Sequence, residues 1–555
     1  MDDALAATIV GIMIIPQALA YAMVAGMPPV AGLYASIIGL VAYSLFGTSN
    51  SLSVGPVAVI SLMTAAALGK LSLNGPAEYA AAALTLAFLS GLCLLIMGIA
   101  RLGLMANFLS HPVISAFITA SCLVIAVSQL RYLLGVSASG GSVPEMVFSL
   151  YSALGDTNFI TFGIGVGAIV FLVWCRTGLE KLLQSFGLSD TLALLAMRTS
   201  PLLVIMVVTL FTQWFQLDSK GVQLLGVVPA GLPELSLPNF SRELLSSLVG
   251  SALLISIIGF VESISIAQSL AAKRRERIDL NQELVALGVS NIAVAFTSGY
   301  PVTGSFGRSV VNFEAGAATP AAGLLTAGII ALVALFFTPL LFWLPEVVLA
   351  AIIMVSVLAL VDFSVFRKSW QYSKADFAAA CLTLVLTLLV GVEFGVAAGV
   401  LASLLIHLYK TSQPHVAVVG RVAGTEHFRN INRHKVETFD NQLSIRIDGS
   451  LYFANTRYLE DMVFSLVAEK PRLEHVILMC TAINEIDMSA LESLQKINDT
   501  LLELGIKLHL SEVKGPIMDK LAETGFFRSL SGNCYLSHNQ AVEDLKEQVL
   551  YLSGM

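Results

Sequence analysis

Apolar stretches of near-membrane length limit this chain more than any other feature. They recur about a dozen times before residue 410, each close to the roughly 20 residues that a helix needs to cross a bilayer. Hydrocarbon offers backbone N–H and C=O groups no partners, so such a chain must form helices or a closed barrel. No strand-type alternation runs through these stretches, which leaves helices. With 56% of its 555 residues hydrophobic and 12% charged, the chain reads as a polytopic α-helical membrane protein.

The charges divide it in two. Residues 1–410 hold 17 Lys/Arg and 19 Asp/Glu, whereas residues 411–555 hold 14 and 19 in a much shorter length. This predicts a transmembrane domain over 1–410 and a soluble α/β domain over 411–555, parted near YKTSQPH (409–415). Loops after alternate spans collect Arg101, then Arg176, Lys181 and Arg198, then Lys273, Arg274, Arg275 and Arg277, then Arg367, Lys368 and Lys374, then Lys410. Opposite loops hold Lys70, Arg131, Lys220 and Arg242. That 12-to-4 split places the first set, the amino terminus and residues 411–555 in the cytosol of a cell whose inner (plasma) membrane the chain crosses. The first apolar run starts almost at Met1 without a basic leader, so no cleavable signal is expected, and a short cytosolic extension is expected ahead of it.

Other classes find little support. A net charge of −7 gives no nucleic-acid signal. The six cysteines lack CxxC spacing and read as buried thiols, and the eight histidines form no metal pattern, so neither a metal nor a cofactor is expected. Without a Walker-type loop or a nucleophile beside a base, the chain does not read as an enzyme.

Two apolar segments are interrupted alike. FGTSNSLSVGPVAVISLM (46–63) and SGYPVTGSFGRSVVNF (298–313) each carry polar, Gly- and Pro-bearing residues ahead of a short helical run, with Gly55-Pro56 read as a helix start. Paired broken segments point to an inverted-repeat transporter with a site near the midplane. Gly55 and Gly304 lie 249 positions apart, Gln17 and Glu262 lie 245 apart, and the two offsets nearly agree. Facing half-helix N-termini present unpaired N–H groups and partial positive charge, a ready anion site. Arg308, on the first turn of the second half-helix, adds a full charge and a planar fork of donors. A bland reading has Arg308 packed against an acidic neighbour.

Glu262 is the other intramembrane charge and is expected to pair with Arg308, ahead of Glu314, so that its protonation couples to anion binding. Its bland role is a hydrogen bond to Ser263 or Ser265. Gln17 follows Pro16, read as breaking the first span and freeing a carbonyl; Tyr21 lies one turn on, and Phe306 is read as an apolar wall.

At IPQALAYAMVAGMPPVAGLYAS (15–36), FGTSNSLSVGPVAVISLM (46–63) and NQELVALGVSN…GSFGRSVVNFEAGAATP (281–320), the sequence resembles the sulfate permease (SulP) family of anion transporters. The resemblance covers nearly the whole chain. It implies fourteen segments in a 7+7 inverted repeat, uracil-permease-like core and gate domains with the core moving in an elevator fashion, and a homodimer. It also implies substrate contacts at Gln17, Ala18 and Tyr21, at Gly55, Pro56 and Val57, at Glu262, and at Ser305, Gly307 and Arg308. Glu262 stands in ESIS where plant-type proton-coupled sulfate transporters carry EAIA, which implies proton symport. Gly307 stands where many relatives have Ser.

Residues 415–550 hold strand-like LSIRIDG (443–449), HVILMC (475–480) and GIKLHLSEV (505–513), each followed by a helical pattern such as 488–505. This resembles the STAS domain that most family members append. Ser489 in EIDMSALES matches a phosphorylated position of soluble relatives, although Ala490 replaces the usual glycine; it reads first as a helix cap and second as a regulatory site.

The function expected is a secondary active transporter, a proton-coupled symporter of sulfate or a related oxyanion, with Glu262 as the coupling residue. The alternatives are a bicarbonate, chloride or C4-dicarboxylate transporter or an uncoupled exchanger of the same fold, and a membrane-anchored STAS scaffold that binds a cytosolic protein.

Overall fold

A computed structural model describes residues 2–552 except 74, 104–109, 139, 141, 186–196, 198 and 227–228. Arg198 of the basic loops lies outside the described residues. The chain forms two compact units, Met1–Leu404 and Leu405–Met555, that divide inside one long helix.

The first unit runs α1 (Asp2–Val24), α2 (Pro29–Phe46), β1 (Val54–Gly55), α3 (Ala58–Leu68), α4 (Pro76–Ile99), α5 (His111–Leu134), α6 (Val143–Ala153), α7 (Phe159–Trp174), α8 (Glu180–Ser185) and α9 (Ser200–Phe215). It continues through α10 (Arg242–Arg274), α11 (Leu280–Ala295), β2 (Thr303–Gly304), α12 (Phe306–Glu314), α13 (Ala321–Phe336), α14 (Glu346–Leu358), α15 (Ser364–Tyr372), α16 (Lys374–Leu389) and α17 (Val392–Ser412). Among the described residues seven helices are long and apolar enough to cross a membrane: α1, α2, α4, α5, α7, α10 and α17. Helices α3, α9, α13 and α14 are apolar but shorter, so length and composition alone give seven spans and not fourteen.

Local chemistry starts these helices where they start. Proline occupies the first or second helical position of α2, α4 and α5, where its missing N–H costs nothing. Asn158 caps α7 and Asp279 caps α11, each side chain accepting two backbone N–H bonds. Pro16, expected to break the first span, sits inside a continuous α1. It removes one N–H from the ladder, and packing of α1 against α2, α13 and α14 holds the helix together across that gap.

The inverted repeat is visible in the packing partners. Exchanging α1 with α10, α2 with α11, α3 with α12 and α4 with α13 turns the α4–α11 contact into α13–α2, α4–α10 into α13–α1, and α1–α12 into α10–α3, all of which occur. In the other group, exchanging α5 with α14 and α7 with α16 turns the α7–α14 contact into α16–α5, which also occurs. The first group is the core and the second the gate of a uracil-permease-like fold. Helices α4 and α11 meet backbone to backbone: a Cβ on Gly91 would lie 2.7 Å from the Gly288 carbonyl oxygen, and one on Gly288 would lie 2.9 Å from that of Gly91. Small residues permit the close approach that packing between apolar helices requires.

The second unit holds a six-stranded sheet in the order β4-β3-β5-β6-β7-β8, from β3 (Val416–Arg421), β4 (Phe428–Asn430), β5 (Gln442–Ile447), β6 (His475–Met479), β7 (Lys507–Ser511) and β8 (Cys534–Tyr535). Strands β5 to β8 are parallel, with Leu443 opposite Val476 and Val476 opposite Leu508. The sequence pattern marks β5, β6 and β7 and does not mark β3, β4 and β8. Helices α18 (Thr456–Ala468), α19 (Met488–Glu503), α20 (Gly515–Glu523), α21 (Phe526–Ser529) and α22 (His538–Leu552) complete the α/β domain. Leu443, Ile445, Leu478, Leu494, Leu501 and Leu508 pack in its core.

Candidate functional site: two half-helices around Arg308

The two broken segments meet. Strands β1 and β2 pair antiparallel, with Val54 opposite Gly304 and Gly55 opposite Thr303, and each leads directly into a half-helix, α3 or α12. The first half-helix begins at Ala58, two residues later than the Gly55-Pro56 start expected, because Gly55 is spent in the strand and Val57 is extended with φ −131°. Neither Val57 nor Ser305, the residues that precede the two helices, supplies a side-chain cap. The first intrahelical bonds run from the Ser61 N–H to the Val57 carbonyl and from the Ser309 N–H to the Ser305 carbonyl, so the N–H groups before them have no helical acceptor.

Between these ends lies Arg308, on the first turn of α12 and 0% exposed. Its Nε, Nη1 and Nη2 have no hydrogen-bond partner among the described residues. Both Nη atoms lie over Gly55, 3.3 Å from where a Cβ would stand. Tyr21 of α1, Tyr300 and Glu262 are the titratable side chains within electrostatic range of it. A buried cation without an internal partner is costly, and an anion held there by charge-assisted bonds would offset that cost.

The expected Arg308–Glu262 ion pair is absent. Glu262 on α10 lines a small crevice with Val113, Phe117 and Ile118 of α5 and Val396 and Val400 of α17, and its Oε2 has no hydrogen-bond partner among the described residues. The serines named as its alternatives bond elsewhere: the Ser263 hydroxyl donates to the Gly259 carbonyl, and that of Ser265 to the Val261 carbonyl. Glu314 ends α12, at the far end of that half-helix from the Ser305 approach.

The remaining sequence-derived residues fall around this centre. Ala18 and Tyr21 are buried on α1, with Gln17 partly exposed beside them. Gly55, Pro56 and Val57 are buried on the first crossover, while Ser305 is half-buried and Phe306 and Gly307 are exposed on the second. Sequence reasoning missed the clasp that joins the crossovers. The Ser53 N–H donates to Ser309 Oγ at 2.9 Å, the Ser305 N–H to the Ser53 carbonyl at 3.0 Å, and Asn312 Nδ2 to the Ser51 carbonyl at 3.2 Å. Ser263 Oγ lies 2.7 Å from Thr303 Oγ1 and accepts the Gly304 N–H at 2.9 Å, which ties β2 to α10. Small polar residues in both broken segments were the signal; their pairing across more than 250 positions could not be read from one strand of text.

In the second unit, Ser489 is not the cap of α19. Asp487 is, its Oδ1 accepting the Ala490 N–H at 2.8 Å while its Oδ2 accepts the Phe453 N–H at 2.8 Å. A carboxylate with two accepting oxygens serves both donors, leaving Ser489 exposed inside the first turn.

Paired crossovers inside an inverted repeat of membrane helices define a class, the helical secondary carriers that hold their cargo between half-helices. The chain belongs to the sulfate permease family, whose model matches residues 1–383, and a STAS domain follows over 433–541. It is 35% identical over 94% of its length to "Sulfate transporter 4.1, chloroplastic" of Arabidopsis thaliana, of which the match covers 76%. It is 32% identical to "Probable sulfate transporter Rv1739c" of Mycobacterium tuberculosis, over 95% of this chain and 93% of that protein. Its fold matches the solved structure of SLC26A9 with a TM-score of 0.88 at 23% identity, over 99% of this chain and 91% of that one. The protein is thus a multi-pass membrane anion transporter, and not an enzyme.

Proposed function

We propose that the protein carries sulfate or a related oxyanion across the membrane by proton-coupled symport. The observation that supports this best is Arg308: wholly buried, without a hydrogen-bond partner among the described residues, and set between two helix N-termini that no side chain caps. The anion takes the guanidinium fork and the N–H groups that open α3 and α12, with Gln17, Ala18 and Tyr21 closing the α1 side and Phe306 the apolar side. The relatives named as sulfate transporters support the substrate class.

Glu262 is the coupling group. An ionised carboxylate lining the crevice among the apolar side chains of α5 and α17 is costly, so its protonation favours sliding of α10 past the gate helices. The coupling to Arg308 is then through the field and not through a direct bond. Basic-residue placement supports an amino terminus and STAS domain on the cytosolic side of the plasma membrane.

The missing Glu262–Arg308 ion pair favours a second reading, an uncoupled exchanger of bicarbonate, chloride or a dicarboxylate. Uptake of radiolabelled sulfate into proteoliposomes, with and without an inward proton gradient, separates the two. Symport requires gradient-driven accumulation that Arg308→Ala abolishes and Glu262→Gln uncouples. Sulfate uptake that ignores the gradient, or counterflow of bicarbonate or succinate in its place, sinks the symport reading.

A further inference from the structure

Strands β1 and β2 are two residues each and contribute two residue pairs to one another. So short a ladder does not hold its own register, and a slip of one residue would turn Gly55 away from Arg308 and replace it with a side chain. Something outside the crossovers must fix them. We infer that α11 does this through Glu283 and Asn291, which act as positioning residues for the anion site.

Glu283 is 0% exposed, yet its hydrogen bonds among the described residues are to uncharged groups. Its Oε1 accepts the Thr48 N–H at 2.7 Å and the Thr48 hydroxyl at 2.6 Å, and its Oε2 accepts the Tyr43 hydroxyl at 2.8 Å. The neighbouring Gln282 donates to the Phe46 carbonyl at 2.7 Å. The end of α2 and the segment that runs into β1 are thereby gripped from α11. Asn291, 1% exposed, does the same for the second crossover: its Oδ1 accepts the Val302 N–H and its Nδ2 donates to the Val302 carbonyl, both at 2.9 Å, immediately before β2.

One helix therefore holds the lead-in to both strands. Glu283 and Asn291 stand about 12 Å apart along α11 at the helical rise. The helix itself is fixed against α4 by the Gly91–Gly288 contact and packs on α2. Glu283 bonds to Thr48 and Tyr43 and Asn291 to Val302, and neither bonds to Arg308, so each acts through the segment it holds. The residues belong to the NQELVALGVSN stretch, whose chemistry the anion site does not otherwise use.

This inference rests on the anion-site reading, and its test separates the two. In proteoliposomes loaded with the full-length protein, KM and kcat for radiolabelled sulfate are measured for wild type, Thr48→Val, Asn291→Ala, Glu283→Ala and Glu283→Gln. Loss of a buried bond that fixes the crossovers raises KM about tenfold or more in the alanine variants, with kcat within about twofold. Thr48→Val, which keeps the Thr48 N–H bond, gives a smaller rise of about threefold. Glu283→Gln stays near wild type, because a carboxamide can set its oxygen on Thr48 and its nitrogen on the Tyr43 oxygen. A merely structural residue would lower the yield and thermal midpoint and leave KM of the surviving protein unchanged; that result overturns the inference. If the alanine variants do not fold, Thr48→Val and Tyr43→Phe carry the test alone, and unchanged KM in both overturns it. A wild-type protein that takes up no sulfate, bicarbonate or succinate overturns the anion-site reading, and this inference with it.

Discussion

The guanidinium of Arg308 leaves no free room beside Gly55: a Cβ there would stand 3.3 Å from both Nη atoms and 3.5 Å from Ser36 Oγ. The relationship joins the two halves of the repeat, since Gly55 belongs to β1 and Arg308 to α12. One methyl group should displace the charge by a few tenths of an ångström without opening a cavity. Gly55→Ala is therefore expected to fold with a thermal midpoint near wild type and to lose sulfate uptake about tenfold or more, as misplacement of a positioned charge does. Wild-type uptake by this variant would show that the fork need not sit where it does.

Gly307 is the opposite case. A Cβ at that position meets nothing within 4 Å, so no steric demand keeps it glycine. Gly307→Ser adds a hydroxyl at the open end of α12 next to Arg308. It should fold normally and lower the KM for sulfate by about threefold to tenfold, the range of one added bond to a charged ligand. Equal KM values for sulfate, with equal inhibition by bicarbonate, would place residue 307 away from the anion.

In the STAS domain the cap of α19 gives a sharp contrast between neighbours. Asp487→Ala removes the acceptor for Ala490 and for Phe453, and should destabilise the start of α19 by about 1 to 2 kcal/mol. Ser489→Ala, at an exposed position inside the helix, should cost only a few tenths of a kcal/mol. Hydrogen exchange of the 488–492 amides in the full-length protein measures both, and equal protection in the two variants would put the cap elsewhere.

Much of the site was legible because its chemistry is local. A cation in an apolar stretch announces itself, and Gly and Pro ahead of Arg308 and ahead of Ala58 mark the crossovers by what they do to backbone. What could not be read depends on distance. The Glu262–Arg308 pairing rests on cost alone, but cost says only that a charge needs a remedy; the fold sets Glu262 beside Phe117 and Val396 with no bond to Arg308. Pro16 was read as a break because propensity is local, whereas the packing of α1 that carries the helix past it is not. Ser489 reads as a cap by its place in a motif, whereas the cap is Asp487, which also takes the Phe453 N–H from 34 positions away. Strands β4 and β8 are short and lie at the sheet edges, and β3, an interior strand of six residues, reads VAVVGR with no clean alternation.

The last prediction concerns acid. His475 of β6 and His509 of β7 are buried, with Nδ1 of the first 3.2 Å from Nε2 of the second. The Asn533 N–H donates to His509 Nδ1 at 3.0 Å, which makes Nε2 the protonated nitrogen of the neutral ring and the donor to His475. A proton added to His509 Nδ1 would face the Asn533 N–H, and one added to His475 Nδ1 would face the Nε2–H of His509, while Glu474 stands 3.9 Å from His475 Nε2. Burial lowers both rings below the usual histidine range, His509 to about 4; at His509 the charges of His475 and Lys507 add to the effect, whereas at His475 Glu474 opposes it and Lys507 adds to it. The unfolded chain, with histidines near 6.5, therefore binds more protons than the folded one between about pH 4 and 6.5. Stability contributed by the neutral pair is complete above about pH 7 and is lost as the pH falls through that window. Amide protection of 475–479 and 507–511 in the full-length protein should drop between pH 7 and 5. His509→Asn keeps an acceptor for the Asn533 N–H but cannot titrate, and it should flatten that pH dependence. Protection that falls equally in wild type and variant would assign the acid sensitivity to other groups.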